Sequence, residues 1–142
     1  MSVSSILKVK GRDVVPASPD QTLAEAATIL ADRRIGSLVI IDKAGALVGI
    51  LSERDIVRAV ARKGGEALAH PVSHYMTMRV EVARENDLIQ AIMEKMTAGK
   101  FRHMPVVDNG RVVGMISIGD VVKHRLAEME AEAEAMRSYI TA

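Results

Sequence analysis

Residues 104 to 122 read Met-Pro-Val-Val-Asp-Asn-Gly-Arg-Val-Val-Gly-Met-Ile-Ser-Ile-Gly-Asp-Val-Val, and residues 38 to 57 read Leu-Val-Ile-Ile-Asp-Lys-Ala-Gly-Ala-Leu-Val-Gly-Ile-Leu-Ser-Glu-Arg-Asp-Ile-Val. Asp42 matches Asp108, Gly49 matches Gly114, Ser52 matches Ser117 and Asp55 matches Asp120. The offset shrinks by one residue because the second turn is shorter, a loss that a loop absorbs at little entropic cost. Self-similarity of this kind decides the architecture before any single residue is interpreted.

Each block reads as a hairpin, with Leu38 to Ile41 against Leu47 to Leu51 and Met104 to Val107 against Val112 to Ile116, all rich in Val and Ile. Asn109-Gly110 tolerates positive φ at the second turn, and Lys43-Ala44-Gly45 serves the first. Upstream, Thr22-Leu23-Ala24-Glu25 has capping-box form and Leu23, Ala26, Ala27 and Leu30 form an apolar helical stripe that Gly36 should stop. In the second copy Asn86 or Asp87 should cap, Leu88, Ile89, Ile92, Met93 and Met96 form the stripe, and Gly99 ends it. A second helix follows each hairpin, from Asp55 to about Arg62, closed by Gly64-Gly65, and from Asp120 to about Tyr139. Short extended pieces at Val14-Val15 and Val80 to Val82 complete a β-α-β-β-α unit in each copy.

The expected fold is therefore α+β, two such repeats packed with pseudo-two-fold symmetry, because neither half can cover both faces of its sheet alone. The first repeat with its N-terminal lead spans residues 1–65, a connector 66–75, the second repeat 76–125 and a C-terminal helical extension 126–142.

Composition narrows the function. The chain has 142 residues, 49% hydrophobic and 26% charged, which suits a folded chain able to bury roughly two-thirds of its unfolded surface. Its apolar runs are too short to span a bilayer, and the opening Met1 to Leu7 lacks the basic start and long apolar run of a signal peptide. With no cysteine, disulfides, Cys-ligated zinc and thiol chemistry are excluded, and a cytoplasmic location is the expectation. Nineteen basic against 18 acidic residues give no global field, and 2% aromatics leave little to stack on bases, so nucleic acid is not an expected partner. His70 and His74 lie in a Gly/Pro-containing connector and do not suggest zinc. No nucleophile elbow, Walker loop, Rossmann glycine pattern or His-Glu-x-x-His occurs, so the expectation is a protein that is not an enzyme.

Both copies place Gly-x-x-Ser-x-x-Asp where a strand turns into a helix, at Gly49 to Asp55 and Gly114 to Asp120. Free N–H groups at a helix start favour phosphate, a Ser hydroxyl adds a hydrogen bond, and an Asp carboxylate can accept from two ribose hydroxyls. The same spacing also describes a plain helix cap, with Asp in place of the usual Glu. Spacing alone favours the cap, and the two readings are compatible.

From about Asp13 to Lys123 the chain resembles the cystathionine-β-synthase (CBS) domain family, whose repeats occur in tandem pairs called Bateman modules. The two Gly-x-x-Ser-x-x-Asp motifs, each behind a Val/Ile-Asp hairpin, carry the resemblance, and Met76-Thr77 is similar to the family's usual lead-in to a second repeat; Gly11 to Val15 departs from it. The resemblance implies a signal-transducing regulatory module that binds AMP, ADP, ATP or NAD, with S-adenosylmethionine ranked last, in the cleft between repeats. It implies that Asp55 and Asp120 hold ribose, that Ser52 and Ser117 approach phosphate or ribose, and that Val15, Val80, Leu38 and Met104 border adenine. Ser37, Thr77, Pro105 and Ile118 complete the expected nucleotide-binding set. Lys100, Arg102 and His103 align with Arg34, Gly36 and Ser37 and give the second copy a basic entry that the first lacks, while Arg54 aligns with Gly119; two unequal clefts are expected, with solvated surface as the alternative for each cation. Val121, Val122, Leu126, Met129, Met136 and Tyr139 are expected to bury against a second copy in a homodimer, and the regulated protein is unknown. A homodimeric assembly module without functional ligand is the alternative.

Overall fold

The computed structural model describes residues 1–141, which form five α-helices and two small sheets. In chain order these are α1 (Val3–Lys10), β1 (Pro16–Ala17), α2 (Leu23–Arg33), β2 (Ser37–Ile41), β3 (Leu47–Ser52), α3 (Glu53–Lys63), α4 (Ile89–Gly99), β4 (His103–Asp108), β5 (Arg111–Ser117) and α5 (Ile118–Thr141). Two 3₁₀ turns, Gly64–Ala69 and Val72–His74, fill the connector. The mixed α+β class and the twice-used strand pair and helix agree with the reading of the repeat.

The residues fall into two compact units. One comprises Asp13–Glu81 with Asn109–Val112, the other Met1–Arg12, Val82–Asp108 and, among the described residues, 113–141. In the first, β1 runs parallel to β2 and β2 antiparallel to β3, with Ser37 opposite Ser52 and Leu38 opposite Leu51. Its core gathers Leu23, Ala26 and Leu30 of α2 against Leu38, Ile40, Leu51 and Ala59, with Ala67 and Val72 from the connector. In the second, β4 pairs with β5, and Ile89, Ile92 and Met96 of α4 close on Met104, Val106, Ile116 and Val121. The N-terminal lead belongs to this second unit: Val3, Ile6 and Leu7 are buried in the same core, and Ser2 bridges Leu88.

Several local expectations are corrected. Gly36 does not stop α2; Arg34 does, at φ 54, with its N–H on Ala31 O and the Ile35 N–H on Leu30 O at 3.1 Å. Lys100 plays the same left-handed part after α4, at φ 56, and Gly99 is the last helical residue. Glycine is needed there for a different reason, since a Cβ on Gly99 would run into the Phe101 ring. Neither Asn86 nor Asp87 caps α4: the cap position is Leu88, which is exposed instead of in the apolar stripe, and Asp87 instead accepts the Arg84 N–H at 2.9 Å in a local turn. The first strand lies at Pro16–Ala17 and not at Val14-Val15, because the parallel register joins Pro16 to Val39. Val80 to Val82 form no strand; the parallel bridge falls on Ala83, opposite Val106. Val121 is fully buried within its own unit and so is unavailable to a second copy.

The motif glycines earn their place by close approach. A Cβ on Gly49 would lie 2.7 Å from Met76 Sδ and 3.1 Å from Thr77 O, where Thr77 pairs with Ile50. A Cβ on Gly114 would lie 2.7 Å from Leu7 Cδ2.

Candidate functional site

The first motif sits at the junction of β3 and α3. Ser52 keeps an extended backbone (φ −105, ψ 163), which aims its hydroxyl back over the first helical turn. Its Oγ accepts the Asp55 N–H at 3.3 Å, and Asp55 Oδ2 accepts both the Ser52 N–H at 2.9 Å and the Ser52 hydroxyl at 3.1 Å. This is a closed capping box, with a carboxylate seated on the positive end of the helix dipole. The cap reading is therefore realised, and Oδ1 of Asp55 stays outside the box. Across the hairpin stands Ser37, 6% exposed, whose Oγ is the one buried side-chain polar atom among the described residues without a hydrogen-bond partner. A hydroxyl left in that condition costs about 1–3 kcal/mol relative to a satisfied one, and a water or a ligand atom could satisfy it.

The second motif repeats the geometry. The Ser117 N–H donates to Asp120 Oδ2 at 2.9 Å, and the Asp120 N–H donates to Ser117 Oγ at 3.2 Å. One backbone bond recurs as well: the Glu53 N–H reaches Gly36 O at 3.0 Å, and the Ile118 N–H reaches Arg102 O at 2.8 Å. The two motifs differ in charge. Lys10 Nζ at the end of α1 donates to Asp120 Oδ2 at 2.7 Å and to Met115 O at 2.8 Å. Burial by itself raises the Asp120 carboxyl, but the hydrogen bond from Lys10, the Ser117 N–H and the Lys10 charge outweigh it and hold the group below its usual 3.8. Among the described residues no lysine or arginine forms an ion pair with Asp55.

The expected site residues divide evenly between the units. Val15, Ser37, Leu38, Ser52, Arg54, Asp55, Thr77 and Val80 belong to one; Lys100, Arg102, His103, Met104, Pro105, Ser117, Ile118 and Asp120 belong to the other. Ser37 faces Ser52, and Ser52 holds Asp55. Thr77 exchanges two backbone hydrogen bonds with Ile50, at 2.9 and 3.0 Å, which brings it to the strand that carries the motif. Leu38 and Met104 have fully buried side chains within their cores, so their main chain is what they can offer a ligand. Arg54, Lys100 and Arg102 are exposed, while His103 is half-buried at the start of β4. Lys10 was not expected. The available signal was the helical spacing of Val3, Ile6, Leu7 and Lys10, which puts the ammonium on the continuation of the buried stripe. No group of three or more His, Asp or Glu suited to a metal ion occurs among the described residues, and none of their helices is long and apolar enough to cross a membrane.

Comparison with known proteins adds the following. The family model for the CBS domain matches residues 3–62 and 72–127. The fold is similar to that of a CBS-domain containing protein from Agrobacterium tumefaciens, with TM-score 0.85 and 48% identity over 87% of this chain and 92% of that one. It is also similar to a CBS domain protein from Pyrobaculum aerophilum solved in complex with AMP (TM-score 0.76, 32% identity, 84% of this chain and 89% of that one). A CBS domain pair solved with 5-methylthioadenosine and S-adenosyl-L-methionine gives TM-score 0.80 at 29% identity, covering 90% and 98% of the two chains. Among curated relatives, the chain spans 71% of the length of one from Acidianus ambivalens and 21% of two from Arabidopsis thaliana.

Proposed function

The chain belongs to the CBS-domain family and carries two of its domains, and from that premise we propose that it is a regulatory module which binds an adenosine-containing ligand at its two Ser-x-x-Asp turns and hands the binding on as a change in packing. The observation that carries this reading is the Ser37 hydroxyl, buried and without a partner, on the residue paired across the strands with Ser52, which in turn holds Asp55. A carboxylate with one oxygen outside its capping box and a buried hydroxyl close by suit the cis-diol of a ribose. The AMP held by the Pyrobaculum protein, and the 5-methylthioadenosine and S-adenosyl-L-methionine held by the other domain pair, share that adenosyl sugar. Ser37, Ser52, Asp55 and Thr77 are assigned to one ligand, and His103, Ser117, Ile118 and Asp120 to another. Arg54 and Arg102 are the cations best placed in sequence to meet phosphates, with Lys100 a further candidate. The role is regulatory and not catalytic: ligand affinity that differs between two packings shifts their populations, and a partner protein reads the shift.

A thermal-shift panel of AMP, ADP, ATP, NAD and S-adenosylmethionine tests the reading. Ligand at about 100 times its Kd adds about 2.7 kcal/mol, a shift of several degrees. Silence across the panel favours a second reading, that of an assembly module. One observation supports that alternative: Leu126, Met129, Met136, Tyr139 and Ile140 leave the outer length of α5 with exposed apolar side chains, which would suit a homodimer. Sedimentation showing a monomer at high concentration would remove that support.

A further inference from the structure

Lys10 is bonded to the carboxylate on which a ligand at the second motif would draw, through the capping oxygen Oδ2 and not through Oδ1. Its ammonium donates to Asp120 Oδ2 at 2.7 Å, on the same oxygen that accepts the Ser117 N–H, and a second bond ties it to Met115 O at 2.8 Å. Lys10 and Asp120 lie 110 residues apart in the chain and keep 38% and 25% of their side-chain surface exposed. The helix that delivers Lys10 is fixed, because Val3, Ile6 and Leu7 are buried in the core of the same unit. Displacing the ammonium therefore needs only rotation of a flexible stem into water and leaves α1 seated. Nothing comparable guards the first motif, where Asp55 forms no ion pair among the described residues.

We propose that Lys10 competes with a ligand for the charge of the Asp120 carboxylate, drawing on it through Oδ2 and leaving Oδ1 a weaker acceptor, so that the second motif takes a ribose-bearing ligand more weakly than the first and the two fill in order, Asp55 before Asp120. The inference rests on the adenosine-ligand reading given above and deepens it by assigning a specificity-setting residue to one of the two motifs. Because the pair is half in water, its loss is modest; removing the cation strengthens binding at Asp120 by about fivefold.

The test uses the full chain carrying Asp55→Ala, which leaves the second motif alone, titrated calorimetrically with adenosine, whose lack of phosphate keeps charge attraction out of the result. Adding Lys10→Met, which retains the stem, should tighten adenosine by about fivefold. Adding Lys10→Arg, which can keep the ion pair and serves as the folding control, should leave the affinity near that of Asp55→Ala alone. Unchanged or weaker adenosine binding by Lys10→Met, with binding still lost on Asp120→Ala, overturns the competitor while leaving the ligand reading intact; weaker binding would make Lys10 a ligand contact. Failure of both adenosine and AMP to bind any version, the unmodified chain included, overturns the two together.

Discussion

Ser37 and Ser52 are cross-strand partners in β2 and β3, yet only Ser52 has its hydroxyl bonded within the chain. The pairing sets a buried, unmatched oxygen next to a closed helix cap, and the two make different demands on stability and on binding. Replacing Ser37 with Ala removes a buried polar group that no protein atom satisfies. The unliganded protein should be unchanged or stabilised by up to about 1 kcal/mol in urea, while AMP affinity falls by about five- to tenfold. A clear loss of stability would mean that the hydroxyl is satisfied in the unliganded chain.

Ser52→Ala opens the capping box and should cost about 1 kcal/mol, measured as a lower urea midpoint at unchanged slope. Asp55→Ala should cost a similar amount, since its carboxylate receives both the Ser52 N–H and the hydroxyl. The double variant should lose less than the sum, because both changes break one network.

At the second motif stability should depend on acid. Asp120 is held below its usual 3.8, so its stabilising contribution is complete above that value and is lost as pH falls through the lower folded pKa. Urea midpoints followed from about pH 6 to about pH 3 should drop for the unmodified chain and drop less for Lys10→Met, which lacks the partner that depresses the carboxyl. Parallel curves for the two proteins would show that the ion pair does not contribute to the acid dependence.

Gly114→Ala should destabilise by about 1–3 kcal/mol, because the new methyl meets Leu7, which is 1% exposed and locked in the core. The companion Leu7→Ala, Gly114→Ala protein should show a coupling in the double-mutant cycle that makes the glycine change cheaper once Leu7 is shortened. Additive costs would place the strain elsewhere.

The two hairpins and the helix after each were legible because Val and Ile runs, turn residues and the duplicated Gly-x-x-Ser-x-x-Asp all point to one local structure. The helix stops were not, because Arg34 and Lys100 take the left-handed position that a reader assigns to Gly36 and Gly99. Tertiary contact decides there: Ile35 is packed against the core, and Phe101 covers Gly99. Helix α1 is not legible in the sequence because eight residues without a side-chain cap bond carry little local signal, and its apolar stripe is explained only by a core built from residues far along the chain. Ser37 enters the expected set through the family resemblance, whereas its lack of a partner is a property of packing. For the same reason the contact between Lys10 and Asp120 lies beyond any local pattern.

Calorimetric titration of AMP into the unmodified chain, Asp55→Ala, Asp120→Ala and the double variant tests the central assignment most directly. Saturable binding at two sites that loses one site with each single change, the tighter with Asp55→Ala and the weaker with Asp120→Ala, and vanishes in the double variant is the predicted result. Binding of equal strength in the folded double variant would contradict it, because the carboxylates would then be helix caps and nothing more.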